Sequence, residues 1–316
     1  MRFLATEEQA DFARSLHTML AAAGVPAAAR AWSAGDHAPG RALWGRLAGL
    51  GVFALAVPEA YEGLGVLPVE LVLAFTELGR AGVPGPVVET AAAAVLLGAL
   101  PGEEAAKRWL PRVAAGECLL TLAGPGTPYA LDADAAEAVL AVSAGGGLRV
   151  VRGHGPLRAS ADPVRRLAEP APGGEALGPL PGDWWRWPAL LTAAQALGVG
   201  EALLARTVEY VKQRTQFGTA VGGFQAVKHR LADTLVALEF ARPLVHGAAV
   251  TLDPRDVAAA KLAAGAAAYT AARSALQLHG AVGYTEELDL ALWLRKARPL
   301  RDAWGTPAAC RARVLA

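Results

Sequence analysis

Few side chains in this sequence stand at spacings suited to chemistry. The first lies in "RTQFGTAVGGFQAVKHRLAD" at 214–233, where Arg214, two polar residues and Phe217-Gly218 sit between two long alanine-rich helical patterns. Taken alone, a guanidinium there reads as a helix-end cation facing the last carbonyls. A second candidate, "GGG" at 145–147, invites comparison with a phosphate cradle, but no helix start follows it to supply amides and a dipole. It joins two strand-like runs and reads as a hairpin turn. "DWWRWP" at 183–188 could stack on a flat ligand, yet tryptophan clusters at a domain junction are usually packing, and we read it so. Glu59 and Glu62, in the turn "AVPEAYEGLG", read as solvated. Cys118 and Cys310 are too few and too far apart for a disulfide framework or a zinc site, and read as small buried hydrophobes.

The elements that must position these residues are mostly helical. Thr6 is placed to cap a first helix with Phe12, Leu16 and Leu20 on one face and Glu7 and Glu8 at its positive end. Periodicity predicts further helices over about 40–50, 67–80, 86–99 and 102–115. From about 118 to 182 the character changes to short apolar runs such as "AVLAVSA" and "LRVV" between loops rich in Pro and Gly, which predicts a small β unit. Beyond 183 the helical pattern returns. Leu190, Ala194, Leu197, Leu204, Val208 and Val211 share one face, with Pro188 in the first turn. A second helix over about 224–250 carries Val227, Leu231, Leu235 and Leu238, with a kink expected at Pro243. A third runs from about Asp256 to His279 and stops at Gly280. A fourth is expected to begin near Thr285, capped by "TEEL", and a final short one after Thr306-Pro307. Three units are therefore expected: a helical domain over 1–117, a reduced β domain over 118–182 and an antiparallel helical bundle over 183–316.

Composition narrows the function classes. Hydrophobic residues at 53% and a net charge of +1, from 30 basic against 29 acidic residues, describe a globular protein with no electrostatic footprint for nucleic acid or an anionic membrane. Any anionic ligand must be held by local groups. Acidic residues stand where a secretory signal would carry its apolar stretch, and no segment has 18 uninterrupted apolar residues, so a cytoplasmic location is expected.

"RTQFG" after a long helix, then "FQAVKHRLAD", then "QLHGAVGYTEE" after another helix, resemble in order and spacing the C-terminal domain of the acyl-CoA dehydrogenase family. The likeness is close over about 185–316, looser in the N-terminal region and poor in the middle. It implies a helical N-terminal domain, a small β domain and a C-terminal four-helix bundle, with FAD at a subunit interface and an acyl-CoA thioester as substrate. By that resemblance Arg214 would place its planar fork of donors on the pyrophosphate of a partner's flavin. Phe217 would pack beside the adenine end, and Gly218 would end the helix and allow a close turn. Gln225 and Gln277 would hydrogen-bond the adenosine part. Gly280 and Ala281 hold the place of the family's Gly-Gly, where backbone approaches the cofactor. His279 is read as a helix-end histidine with no ligand role.

The sequence also departs from the family. Desaturation needs a carboxylate to take the α-proton while a hydride leaves for the flavin. Ungapped alignment from "GYTEE" puts Trp304 over the usual glutamate, and an indole cannot accept a proton. The alternative seat on the first bundle helix falls on Pro188. Asp302, Glu286 and Glu201 lie near enough to be weighed as substitutes, Asp302 first because it is two residues from Trp304. The β region is shortened and lacks the family's ring-contacting segments. The expectation is a subunit that shares FAD with a longer homologous partner and completes its site, inactive alone. Self-association into a homo-oligomeric flavoenzyme with altered chemistry, a relocated base and a flavin-free scaffold stay open beside it.

Overall fold

The computed structural model describes residues 5–316. Six helices lead: α1 (Glu7–Ala21), α2 (Val25–Ser33), α3 (Ala38–Gly49), α4 (Pro68–Ala81), α5 (Val87–Gly98) and α6 (Glu103–Ala114). Thr6 caps α1 through a reciprocal pair of bonds with Gln9, and Leu16 and Leu20 are buried. The α2 helix was not separated in the sequence reading; Pro26 in its first turn and its Ala-rich body are the available signal. Every residue of α5 from Val87 to Leu97 is buried, as a helix apolar all round requires. Glu59 and Glu62 are exposed as expected.

Six short strands follow: β1 (Leu120–Ala123), β2 (Ala130–Leu131), β3 (Ala138–Val142), β4 (Gly147–Val151), β5 (Leu167–Ala168) and β6 (Glu175–Pro179). One sheet has the order β1-β3-β4-β6, parallel only between β1 and β3; β2 and β5 form a separate antiparallel pair. The triple glycine serves the β3–β4 hairpin, with Val142 opposite Leu148 and Gly146 at φ 80°.

Asp132, wholly buried in this unit, accepts the Arg166 N–H at 3.1 Å and has its own N–H on the Arg166 carbonyl. Burial pushes its carboxyl up to about 7 from an ordinary value of 3.8. The folded chain therefore holds this proton more tightly than the unfolded one. Its contribution to stability is complete below about pH 4 and is lost as pH rises through about 7. Denaturant midpoints measured at about pH 5 and about pH 8 are expected to fall with pH in the wild type, and Asp132→Asn to flatten that slope.

The chain then enters α7 (Arg186–Gln213), a hairpin of β7 (Thr215–Gln216) and β8 (Thr219–Ala220), α8 (Gln225–Thr251), α9 (Pro254–His279), α10 (Leu290–Asp302) and α11 (Pro307–Leu315). α7 has the length and composition of a membrane span, but 89% of its most apolar window is buried. It crosses α4 with almost no space: a Cβ on Gly198 would lie 1.9 Å from the Thr76 carbonyl oxygen, and one on Gly79 2.1 Å from that of Gln195. Only glycine permits that approach. α8 runs on through Pro243, and α11 starts from the expected Thr306 cap. The fourth bundle helix begins at Leu290, five residues later than expected. After α9 the chain makes a 3-10 turn over Gly280–Tyr284, and the Thr285 hydroxyl donates back to the Val282 carbonyl instead of capping a helix. One core cluster reaches from Leu16 to Trp304, so helices and sheet share an interior.

Candidate functional site

The six residues expected to bind cofactor come together at one end of the bundle. α7 stops at Gln213, and Arg214 leaves it in extended conformation, its N–H still on the Tyr210 carbonyl at 2.9 Å. Phe217 and Gly218 are the two turn residues of the β7–β8 hairpin, at φ 54° and 78°. A two-residue hairpin of the I′ kind has positive φ at both positions. Gly218 therefore makes this turn and does not end the helix, which stops five residues earlier. Phe217, at the tip, is 92% exposed. The hairpin itself was missed from sequence, because its strands are two residues each.

Tyr210 stacks on His279 with ring centroids 4.1 Å apart, holding the end of α7 against the end of α9. His279 is buried with Nδ1 bonded to the Ala275 carbonyl at 2.8 Å, and burial lowers its pKa, which suits the structural role read for it. Gln225 opens α8, Gln277 lies in the last turn of α9, and Gly280 and Ala281 follow; all are exposed. Thr234 donates to Ser274 at 3.1 Å and ties α8 to α9 beneath them. Between these two helices runs a groove of about 680 Å³ whose lining includes Gln277, Tyr284, Arg230 and Arg273.

This end suits the anionic, aromatic half of a dinucleotide. Among the described residues nothing pairs with the Arg214 guanidinium, the Phe217 ring is open to solvent, and Gly280 sits at φ 63° with no atom within 4 Å of a Cβ built there, leaving its backbone approachable.

The seats for a base look different. Trp304 is buried at φ 55°, and its indole N–H donates to Glu89 Oε1 at 2.9 Å. Glu89, only 2% exposed on α5, is the carboxylate that sequence reading missed; no local signal links residues 215 apart in the chain. Trp304 also lines a cavity of about 320 Å³ with Trp184, Trp185, Asp302 and Arg313, and so stands between Glu89 and that space. Trp187 packs in the core as expected, whereas Trp184 and Trp185 are half-buried walls of the cavity, with the Arg313 guanidinium 3.8 Å from the Trp185 ring.

Pro188 is buried within α7, its carbonyl accepting the Thr192 hydroxyl at 2.7 Å. The possible substitutes are engaged elsewhere. Asp302 is exposed and pairs with Arg298 at 3.5 Å, while Glu286 is exposed and pairs with Arg295 at 2.6 Å. Glu201 is buried between Arg80 and Arg242; desolvation raises its pKa and the two arginines oppose that. Both cysteines are buried, and burial pushes the Cys118 thiol up to about 12, far from a nucleophile's range.

Lys261 fixes the turn that carries Trp304. Its Nζ donates to the Arg301 carbonyl at 2.9 Å and the Gly305 carbonyl at 3.2 Å, and the residue is 1% exposed.

Residues 6–117 match the family model for the acyl-CoA dehydrogenase N-terminal domain, and 187–315 match that for the C-terminal domain. Over 295 residues the chain is 36% identical to acyl-CoA dehydrogenase IpdE2 of Mycobacterium tuberculosis, covering 92% of this chain and 91% of that relative. This chain belongs to the acyl-CoA dehydrogenase family. The protein of the same name from Mycolicibacterium smegmatis is 31% identical over 82% of this chain and 81% of its own length. Among solved acyl-CoA dehydrogenase folds, the glutaryl-coenzyme A dehydrogenase complex with glutaryl-CoA superposes at TM-score 0.86 with 20% identity, covering all of this chain and 96% of that one. The ChsE4-ChsE5 complex from Mycobacterium tuberculosis superposes at 0.85 with 24% identity, covering 99% and 98%. These two likenesses establish the mostly helical fold with its small sheet. Members of the family use FAD.

Proposed function

We propose that this acyl-CoA dehydrogenase family member is the subunit of a heteromeric FAD-dependent enzyme that completes the flavin site of a longer, catalytic partner and supplies no base of its own. The observation that carries this reading is Trp304: the side chain at the aligned base position is a donor, and its N–H is spent on Glu89. Meanwhile the bundle end keeps an arginine, an aromatic ring and open glycine backbone facing outward.

When bound, FAD supplies the hydride acceptor for the acyl thioester. In this chain Arg214 would hold the pyrophosphate by charge-assisted bonds, and Gln225 and Gln277 the adenosine part. Phe217 would cover the adenine, and Gly280 and Ala281 would bring backbone against the dinucleotide. The partner would provide the ring-binding strands and the glutamate that takes the α-proton. The ChsE4-ChsE5 complex, an assembly of two different chains, supports a hetero-oligomer, and a solved neighbour described as a steroid acyl-CoA dehydrogenase supports bulky acyl thioesters as the substrate class.

Purified alone, the protein is expected to show little flavin absorbance and no acyl-CoA oxidation. Co-expressed with a longer homologue that carries the glutamate, it is expected to copurify as a yellow complex with fewer flavins than subunits. A stoichiometric flavin in the lone protein, with turnover, would falsify the shared-site reading.

A further inference from the structure

One turn beyond the glycine crossing of α4 and α7, a cavity of about 380 Å³ opens between α1, α2, α4, α7 and α10. None of the six residues read as flavin-binding lines it, nor does Trp304. Leu20, Val25, Pro26 and Ala202 give it apolar walls, and Trp293 closes one side. The Trp293 indole N–H donates to the Arg80 carbonyl at 3.0 Å, which fixes the ring. Over that ring lies the Arg206 guanidinium, its carbon 3.9 Å from the ring centre. The contact uses the face of the guanidinium. Its N–H edge has no hydrogen-bond or ion-pair partner among the described residues.

The other charges that line the cavity are spent on one another. Glu77 accepts from His17 Nδ1 at 2.9 Å and from Arg80 Nε at 3.2 Å, and Arg80 also pairs with Glu201. Asp289, the acid whose field reaches Arg206, is paired with Arg30. Desolvation lowers the Arg206 pKa from its ordinary value even against that field. A cation partly stripped of water and left without a counter-charge gains from an anion that brings its own acceptors. Stacked on an indole, the planar fork is held ready for two parallel bonds to one carboxylate. The walls set the rest of the ligand. The volume is at the lower end of the roughly 300–1,000 Å³ typical of small-molecule sites, which suits a compact apolar body and not a nucleotide. One unspent cation suits one negative charge. We infer that this cavity binds a small monocarboxylate, its two oxygens on Arg206 and its apolar body against Leu20, Val25 and Ala202. The flavin reading is not needed for it.

The probe is cyclohexanecarboxylate, titrated into the full chain by calorimetry and followed by saturation-transfer NMR, with cyclohexanecarboxamide as its neutral counterpart. The acid is expected to bind saturably, and the amide on the order of tenfold more weakly. Arg206→Gln keeps a stem over Trp293 and removes the charge. It should weaken the acid on the order of tenfold and erase its preference over the amide. Ala205→Phe, at an exposed position lining the same cavity, should fill the space and weaken both ligands alike. Circular dichroism confirms that each variant is folded, and the comparison of acid with amide on the wild type needs no variant. An acid that does not bind saturably, an amide that binds as tightly, binding unchanged in Arg206→Gln, or binding untouched by Ala205→Phe would each overturn the proposal. None of these readouts involves flavin, so failure of the shared-site reading would leave this one standing.

Discussion

Arg214→Ala is expected to empty the flavin site of the complex while leaving the complex assembled. The side chain is exposed and bonds to none of the described residues, so its removal costs the fold almost nothing. The pyrophosphate, in contrast, would lose a charge-assisted contact and be left facing an unneutralised interface. Truncating one partner of such a pair costs about 2–5 kcal/mol, or roughly 30- to several-thousand-fold in affinity. Arg214→Lys is expected to recover only part of this, because an ammonium offers a point charge and not the planar fork. Flavin-to-protein ratio after gel filtration is the measurement, with circular dichroism to confirm the fold. An unchanged ratio in Arg214→Ala would place the pyrophosphate elsewhere, and the role assigned to this residue would be wrong.

Lys296→Met is expected to destabilise the chain by about 3–5 kcal/mol, the largest single effect on stability among the changes considered. Lys296 on α10 donates to Asp162 Oδ2 at 2.8 Å, and both side chains are buried, at 5% and 0% exposure. Removing one member strands the other's charge in the interior. Asp162 has a second duty, since its Oδ1 accepts the Val164 N–H at 3.0 Å, so replacing it by an apolar residue would leave a backbone donor unsatisfied. The double change Lys296→Met with Asp162→Asn keeps that acceptor and removes both charges. It should return most of the lost stability, because a buried ion pair is worth little relative to a neutral replacement. Urea midpoints of the wild type, single and double variants decide it; a double variant as unstable as Lys296→Met alone would contradict this account. The pair ties α10 to the loop between β4 and β5, so its loss should also loosen the turn that carries Trp304.

How much of this was legible beforehand depended on the range of the signal. α4, α5 and α6 announce themselves because their apolar periods and Gly or Pro stops are local, and the observed ends lie within a residue or two of the expected ones. Thr306-Pro307 marks the start of α11 for the same reason. The start of α10 was misplaced because "TEEL" carries the composition of a cap while the preceding 3-10 turn takes the Thr285 hydroxyl for itself. At the site, the three bundle segments could be recognised by order and spacing, and the folded chain gathers all six named residues at one end. What a linear reading could not supply were pairings across the chain. Trp304 with Glu89, Lys296 with Asp162, and Arg230 across from Arg273 join residues that share no local pattern.

The indole bond to Glu89 also bears on what a carboxyl group placed at position 304 would meet. A Trp304→Glu change would set a second carboxyl group against one already sealed inside the protein and would remove the indole donor that now meets Glu89 Oε1. Installing an acid at 304 would thus call for a second change, at Glu89, to keep that buried oxygen partnered and like charges apart.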